Sequence, residues 1–356
     1  MSVEFWTSGR GRATSEDPNV FDSAKQAKRA EELGYDGITF VDSQNLAGDC
    51  YVALTVAAHA TTRLKLGTGV TNSFTRHPAV TASAIASIQA ESGGRAYLGI
   101  GRGDSALAHL GLAPHAVPKF ERYLEQLQGY LRGDAVAFGD SDVDALGLAD
   151  TPEASQIRWI GSRYPKVLVD VAATGPRVIG AAARHADQVS LAVGGDPERI
   201  KWGMEIAREA RANAGLDSDI AFGAYIPTVV HDDPEVALSI GSAGLSLFAR
   251  FSNMYGEIVG PVSDDQREVL TRIHDSYDMH HHAQPGSAQS AQVTQEFASS
   301  FGIFGTSDYC VQRLGELIEL GVTRFFIAGT TLDPSHPYSE CSERFVAEVA
   351  PQLRMG

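Results

Sequence analysis

The chain has 356 residues, 43% of them hydrophobic and 21% charged, which supplies ample apolar surface for a packed core and leaves no case for disorder. Twenty-nine basic against 44 acidic side chains give a formal net charge of −15; a surface of that sign repels phosphate backbones and anionic lipid, which argues against nucleic-acid and membrane partners. The cysteines Cys50, Cys310 and Cys341 are too scattered for a disulfide framework or a thiolate metal site, no apolar run approaches the roughly 20 residues of a membrane span, and no leader pattern opens the chain, so a cytoplasmic protein is expected.

Short β-branched runs alternate with helical periodicity along the chain. Val3 to Thr7 reads as a first strand and Val20 to Leu33 as a helix stopped by Gly34. Strand two at Ile38 to Val41 precedes a helix at Tyr51 to Ala60, strand three at Leu64 to Val70 a helix at Pro78 to Ala90, and Ala96 to Ile100 is strand four. A helix from about Pro118 to Leu131 then leads into an excursion over about 133–156 that is rich in Gly and Asp and contains no basic residue, the pattern of a solvated surface segment. Strand five at Val167 to Ala172, strand six at Val189 to Val193 and strand seven at Ala221 to Val230 follow, the first two with helices at Pro176 to His185 and Pro197 to Ala214. A mostly helical excursion over about 234–300 separates strand seven from a helix capped by Thr306 and Ser307 and from strand eight at Arg324 to Ala328. Eight strand and helix units predict a single-domain TIM (β/α)8 barrel over 1–356, with insertions after strands four and seven.

Barrel chemistry sits at the C-terminal strand ends. Strand one ends in Thr7-Ser8-Gly9-Arg10-Gly11-Arg12, strand two in Asp42-Ser43-Gln44-Asn45, strand three in Gly69-Val70-Thr71-Asn72 followed by Thr75-Arg76-His77-Pro78, and strand four in Gly99-Ile100-Gly101-Arg102-Gly103-Asp104. Adjacent polar ends of this kind predict a ligand pocket. The alternating glycines of strand four are not a dinucleotide fingerprint, because Asp104 stands where its last glycine would fall. Thr174-Gly175-Pro176-Arg177 and Gly194-Gly195-Asp196-Pro197 each place small residues before a helix that opens on proline, so two helix starts offer free N–H groups to a phosphate. His77 is left between capping its helix and lining the pocket. The run His280-His281-His282 is not read as a metal site, since adjacent helical positions point apart and no carboxylate spacing accompanies them.

The segments Gly69-Val70-Thr71-Asn72 with Thr75-Arg76-His77-Pro78, Leu98-Gly99-Ile100-Gly101-Arg102-Gly103-Asp104, and Ala173-Thr174-Gly175-Pro176-Arg177 with Ala186-Asp187 resemble the bacterial luciferase-like superfamily, in particular its branch that uses the deazaflavin coenzyme F420. The resemblance implies a bulge with a non-proline cis peptide at Gly69-Val70 backing the cofactor ring. It places Asp42, Thr71, Gly101, Arg102 and Gly103 along the ring, and Thr174, Gly175, Pro176, Arg177, Gly194 and Gly195 around the ribityl and phosphate end. Asp104 falls where sugar-phosphate dehydrogenases of this branch carry a glutamate acid, and Ser43 stands where they carry a histidine base. The expected activity is hydride transfer between the deazaflavin C5 and a small organic substrate, with Asp104 or His77 handling a proton, in a homodimer. An FMN-dependent monooxygenase of the same superfamily is the alternative, and a non-catalytic flavin-binding barrel the second.

Overall fold

Eight parallel strands close into a barrel in a computed structural model that describes residues 2–9, 22–138, 144–147, 149, 152–329 and 331–355. In chain order the first elements are β1 (Glu4–Gly9), α1 (Asp22–Leu33), β2 (Gly37–Phe40), α2 (Cys50–Ala60), β3 (Lys65–Asn72), α3 (Pro78–Glu91), β4 (Ala96–Gly101), α4 (Ser105–Ala108) and α5 (Val117–Arg132). A short hairpin, β5 (Val136–Ala137) and β6 (Ala154–Ser155), precedes β7 (Leu168–Ala173), α6 (Pro176–His185), β8 (Gln188–Leu191), α7 (Pro197–Asn213) and β9 (Ala221–Val230). Then come α8 (Pro234–Arg250), α9 (Asp264–Asp275), α10 (Gln295–Phe301), β10 (Ile303–Gly305), α11 (Ser307–Leu320) and β11 (Val322–Ala328), and the chain closes with α12 (Ser339–Arg344), a π-helical turn and α13 (Ala350–Met355). The barrel runs β1, β2, β3, β4, β7, β8, β9, β11 and back to β1, with β10 added in parallel outside β9.

The barrel strands fall where the β-branched runs placed them, with ends shifted by one or two residues. Two pairings were not foreseen: β10, too short to show a period, and the β5–β6 hairpin inside the acidic stretch. Arg10, Gly11 and Arg12 lie outside the described residues, as do the first two residues of the helix read from Val20 and parts of the 133–156 stretch. No helix among the described residues is long and apolar enough to cross a membrane.

Period-two alternation divides the core into two layers. On β1, Phe5 packs outward among the helices with Ile38, Leu54 and Phe345, whereas Trp6 points into the barrel with Tyr97, Tyr225 and Phe326. The barrel interior is also polar. Arg324 donates from Nη1 to Gln188 Oε1 at 2.8 Å and from Nε to Glu4 Oε2 at 3.0 Å, which pairs the buried guanidinium. Asp170 on β7 is wholly buried and neither carboxylate oxygen has a partner within hydrogen-bond geometry; burial pushes its pKa up to about 6 against the pull of Tyr97, Ser190 and Arg324. A separate apolar cluster forms where α8, α9 and α10 pack together over β10, with Leu245, Leu270, Phe297 and Phe301 at its centre.

Candidate active site

The C-terminal strand ends and the segment after α8 enclose a cavity of about 350 Å³, within the size range of small-molecule sites. The barrel side of its wall is assembled from Asp42 and Ser43 after β2, from Gly69 to Asn72 of β3, and from Gly101 to Ala106 after β4. Thr174 and Gly175 after β7 complete that side. The Gly69-Val70 peptide is cis, and the β3–β4 register shifts between Thr68 and Thr71, so both the cis bond and the bulge lie where the resemblance placed them. Gly103 takes φ +89°, and a Cβ there would come within 2.7 Å of Leu107, so the turn that brings Asp104 to the cavity requires glycine.

Most polar groups on this wall are already engaged. Asp42 Oδ2 accepts from Thr71 Oγ1 at 2.6 Å and from Arg76, whose other terminal nitrogen donates to Asp49 at 2.8 Å. Asn72 Oδ1 accepts from the backbone N–H groups of Phe74 at 3.0 Å and Thr75 at 2.9 Å, which fixes the amide orientation. That leaves Asn72 Nδ2 as a buried donor with no acceptor, and Arg102 Nε is another, while Arg102 Nη2 donates to Tyr255 Oη at 3.1 Å. Both residues line the cavity, so one wall holds two residues that each keep a buried donor without a partner.

The two expected proton handlers fare differently from expectation. Asp104 reaches the cavity, but Arg250 holds its carboxylate through both terminal nitrogens; burial pushes the pKa of Asp104 up while that guanidinium pulls it down. His77 is exposed, lies outside the cavity, and caps α3 by accepting from Ala79 N–H at Nδ1, so the structure gives it the capping half of its sequence reading and not the catalytic one.

The two helix starts also separate. At α6, Gly175 is an uncapped N-cap beside the cavity, with Pro176 and Arg177 exposed just beyond it. At α7, Asp196 caps its own helix, Gly195 N–H donates to Phe301 C=O at 2.7 Å, and Gly194, at φ +88°, is packed against the Phe301 ring. Neither Gly194 nor Gly195 lines the cavity, and the chain entering β10 takes the Gly195 N–H that the sequence left free.

Sequence reasoning missed the opposite wall. Tyr225 of β9, on the run read as strand seven, joins Phe248 and Leu247 of α8 and Phe251, Met254 and Val259 beyond it, on a stretch read only as a helical excursion, in one apolar face. Arg199 of α7, fully buried, clamps this stretch by donating to Ser252 Oγ at 2.8 Å, Val259 C=O at 3.1 Å and Pro261 C=O at 2.8 Å, and holds Val193 C=O at 2.7 Å from its own side. His282 also lines the cavity and pairs through Nδ1 with Tyr277 Oη at 2.9 Å, while His281 pairs with Asp278; the described residues contain no cluster of ligands that could hold a metal ion.

The chain is 29% identical over 320 residues to a 5,10-methylenetetrahydromethanopterin reductase of Methanolobus tindarius, covering 89% of this chain and 92% of that one. It is 26% identical over 318 residues to an F420-dependent glucose-6-phosphate dehydrogenase of Mycobacterium tuberculosis, covering 85% and 82% respectively. The solved coenzyme F420 dependent tetrahydromethanopterin reductase of Methanopyrus kandleri superposes with TM-score 0.73 at 22% identity, over 99% of this chain and 100% of that one. The oxygenating constituent of the Pseudomonas putida 3,6-diketocamphane monooxygenase, in complex with FMN, superposes with TM-score 0.66 at 17% identity, over 99% and 98%. A family model described as luciferase-like monooxygenase matches residues 1–324, so this barrel enzyme belongs to the luciferase-like monooxygenase family.

Proposed function

We propose that the chain is a coenzyme F420-dependent oxidoreductase that moves hydride between the deazaflavin C5 and a small organic substrate. The observation that carries this reading is the pair of unspent buried donors, Asn72 Nδ2 and Arg102 Nε, on a glycine-edged wall that ends at the uncapped start of α6. A planar ring bearing carbonyl oxygens, attached to a phosphate, uses all three features. When bound, the cofactor supplies the hydride chemistry, and the protein supplies position and electrostatics. Val70, Thr71 and Gly101 to Gly103 would back and edge the ring, with Asp42 at its side held by Thr71 and Arg76. Thr174, Gly175 and the first turn of α6 with Pro176 and Arg177 would take the phosphate end. The F420-dependent glucose-6-phosphate dehydrogenase and the coenzyme F420 dependent tetrahydromethanopterin reductase, both named for that cofactor, support the choice of deazaflavin over FMN.

Two further expectations belong to this reading. A homodimer belongs to it through the family resemblance. The three free, buried cysteines fit a reducing cytoplasm. Titration of the purified protein with F420 and with FMN tests the assignment: F420 is expected to bind and FMN to bind at least tenfold more weakly (~1.4 kcal/mol). Tight FMN binding without F420 affinity would favour the monooxygenase alternative and overturn it.

A further inference from the structure

We infer that the substrate half of this cavity takes an uncharged, planar organic compound, an aromatic or conjugated carbonyl, and does not take a phosphorylated sugar; the inference rests on the deazaflavin reading, which assigns the barrel side of the cavity to the cofactor. The wall left for the substrate is a ladder of rings. Tyr225 stacks on Phe326 at 4.4 Å and 13° and on Phe248 at 5.8 Å and 24°, and Phe248 meets Phe251 edge-on at 6.2 Å. Leu247, Met254 and Val259 line the same cavity. Flat rings add stacking energy to apolar burial against such a surface, about 1 kcal/mol beyond the area term.

The charges point the same way. The guanidinium groups of Arg102, Arg250 and Arg199 lie against this half, and Arg199 spends its donors on Ser252 Oγ and on the carbonyls of Val193, Val259 and Pro261. Arg250 spends both terminal nitrogens on Asp104, and its plane lies 4.6 Å from the centre of the Tyr277 ring, so it offers no fork to a second anion. Arg102 gives Nη2 to Tyr255, and its Nε is buried. Glu257 adds negative charge to the same wall. A phosphate dianion there would be desolvated without a partner. The wall is also held in place: Arg199 fastens Ser252, Val259 and Pro261 on either side of Met254 and Tyr255, so the apolar face is formed before a ligand arrives.

Isothermal titration calorimetry on the F420-loaded protein, with acetophenone and glucose 6-phosphate as probes, tests the inference. Acetophenone is expected to bind saturably and glucose 6-phosphate not to. Phe248→Leu and Phe251→Ala are each expected to weaken acetophenone about tenfold while leaving the F420 titration within about twofold. Saturable binding of glucose 6-phosphate without acetophenone binding overturns the substrate class and leaves the cofactor reading standing. Acetophenone binding that both variants leave unchanged, or that added F420 displaces, overturns the location. Failure of F420 itself to bind removes the cofactor reading and the inference with it.

Discussion

Arg250, the last residue of α8, grips the carboxylate of Asp104 in the loop after β4 through both terminal guanidinium nitrogens, with Nη1 to Oδ2 at 2.8 Å. The two residues are 146 positions apart, and the pair fastens the covering helix to the strand ends. Both carboxylate oxygens of Asp104 are taken up by this pair. A buried carboxylate in a two-pronged ion pair is held ready as structure, and releasing it costs more than an exposed pair would.

Arg250→Met is therefore expected to destabilise the protein by about 3 kcal/mol, because it leaves Asp104 buried without its partner. Asp104→Asn in the same chain should recover much of that loss, since the stranded charge is gone. Thermal unfolding of the two single variants and the double variant measures the coupling. Additive losses would show that the pair is not a unit.

Arg199→Met removes four hydrogen bonds from a guanidinium that forms no salt bridge among the described residues, and burial, against the weaker pull of Asp196, lowers that guanidinium's pKa to about 10. The expected cost is about 3 kcal/mol or more. Limited proteolysis should cut between Ser252 and Pro261 first, whereas the wild-type chain resists there. Cleavage starting elsewhere would separate Arg199 from that stretch.

Asp170 gives a pH signature of known sign. Its pKa is raised in the folded state, so the native protein holds the proton more tightly than the unfolded chain, and the stability this gives is present below about pH 4 and lost as pH rises through about 6. At neutral pH the ionised, buried carboxylate costs roughly 3 kcal/mol. Asp170→Asn should leave stability at pH 4 nearly unchanged and raise the melting temperature progressively between pH 4 and pH 7. A melting temperature difference that does not vary with pH would refute the assignment.

The two helix starts can be told apart by cofactor affinity. Thr174→Val and Arg177→Gln, at α6, are each expected to weaken F420 about threefold to tenfold. Asp196→Ala, at α7, should cost about 1 kcal/mol of stability through its lost cap and leave F420 affinity unchanged. Equal effects at both helices would return the phosphate to the position between them.

The barrel was legible because each parallel strand is buried on both faces and writes a short β-branched run, as Val189 to Val193 and Ala221 to Val230 show. Half of the site was legible for a related reason: strand ends carry their polar residues next to the strand that positions them, so Asp42, Thr71 and Arg102 could be found locally. The opposite wall could not. Phe248 and Phe251 look like ordinary helix-face residues, and only tertiary packing turns them toward β9. The surroundings of the Gly194-Gly195-Asp196-Pro197 turn were hidden for a similar reason. Its local chemistry matches that of Thr174 to Arg177, and what differs is a carbonyl on Phe301, more than 100 residues away.

Arg199 has a kinetic corollary. A wall fastened at Ser252, Val259 and Pro261 cannot swing as a flap, so the route past it is bounded by side chains alone, with the Arg102–Tyr255 bond spanning the opening and the Tyr255 ring two-thirds exposed. Exposed side chains rotate in picoseconds to nanoseconds, far faster than loop closure. Side-chain motion along that side therefore does not gate exchange of ligand, and the rate at which a ligand leaves is set by how tightly the wall holds it.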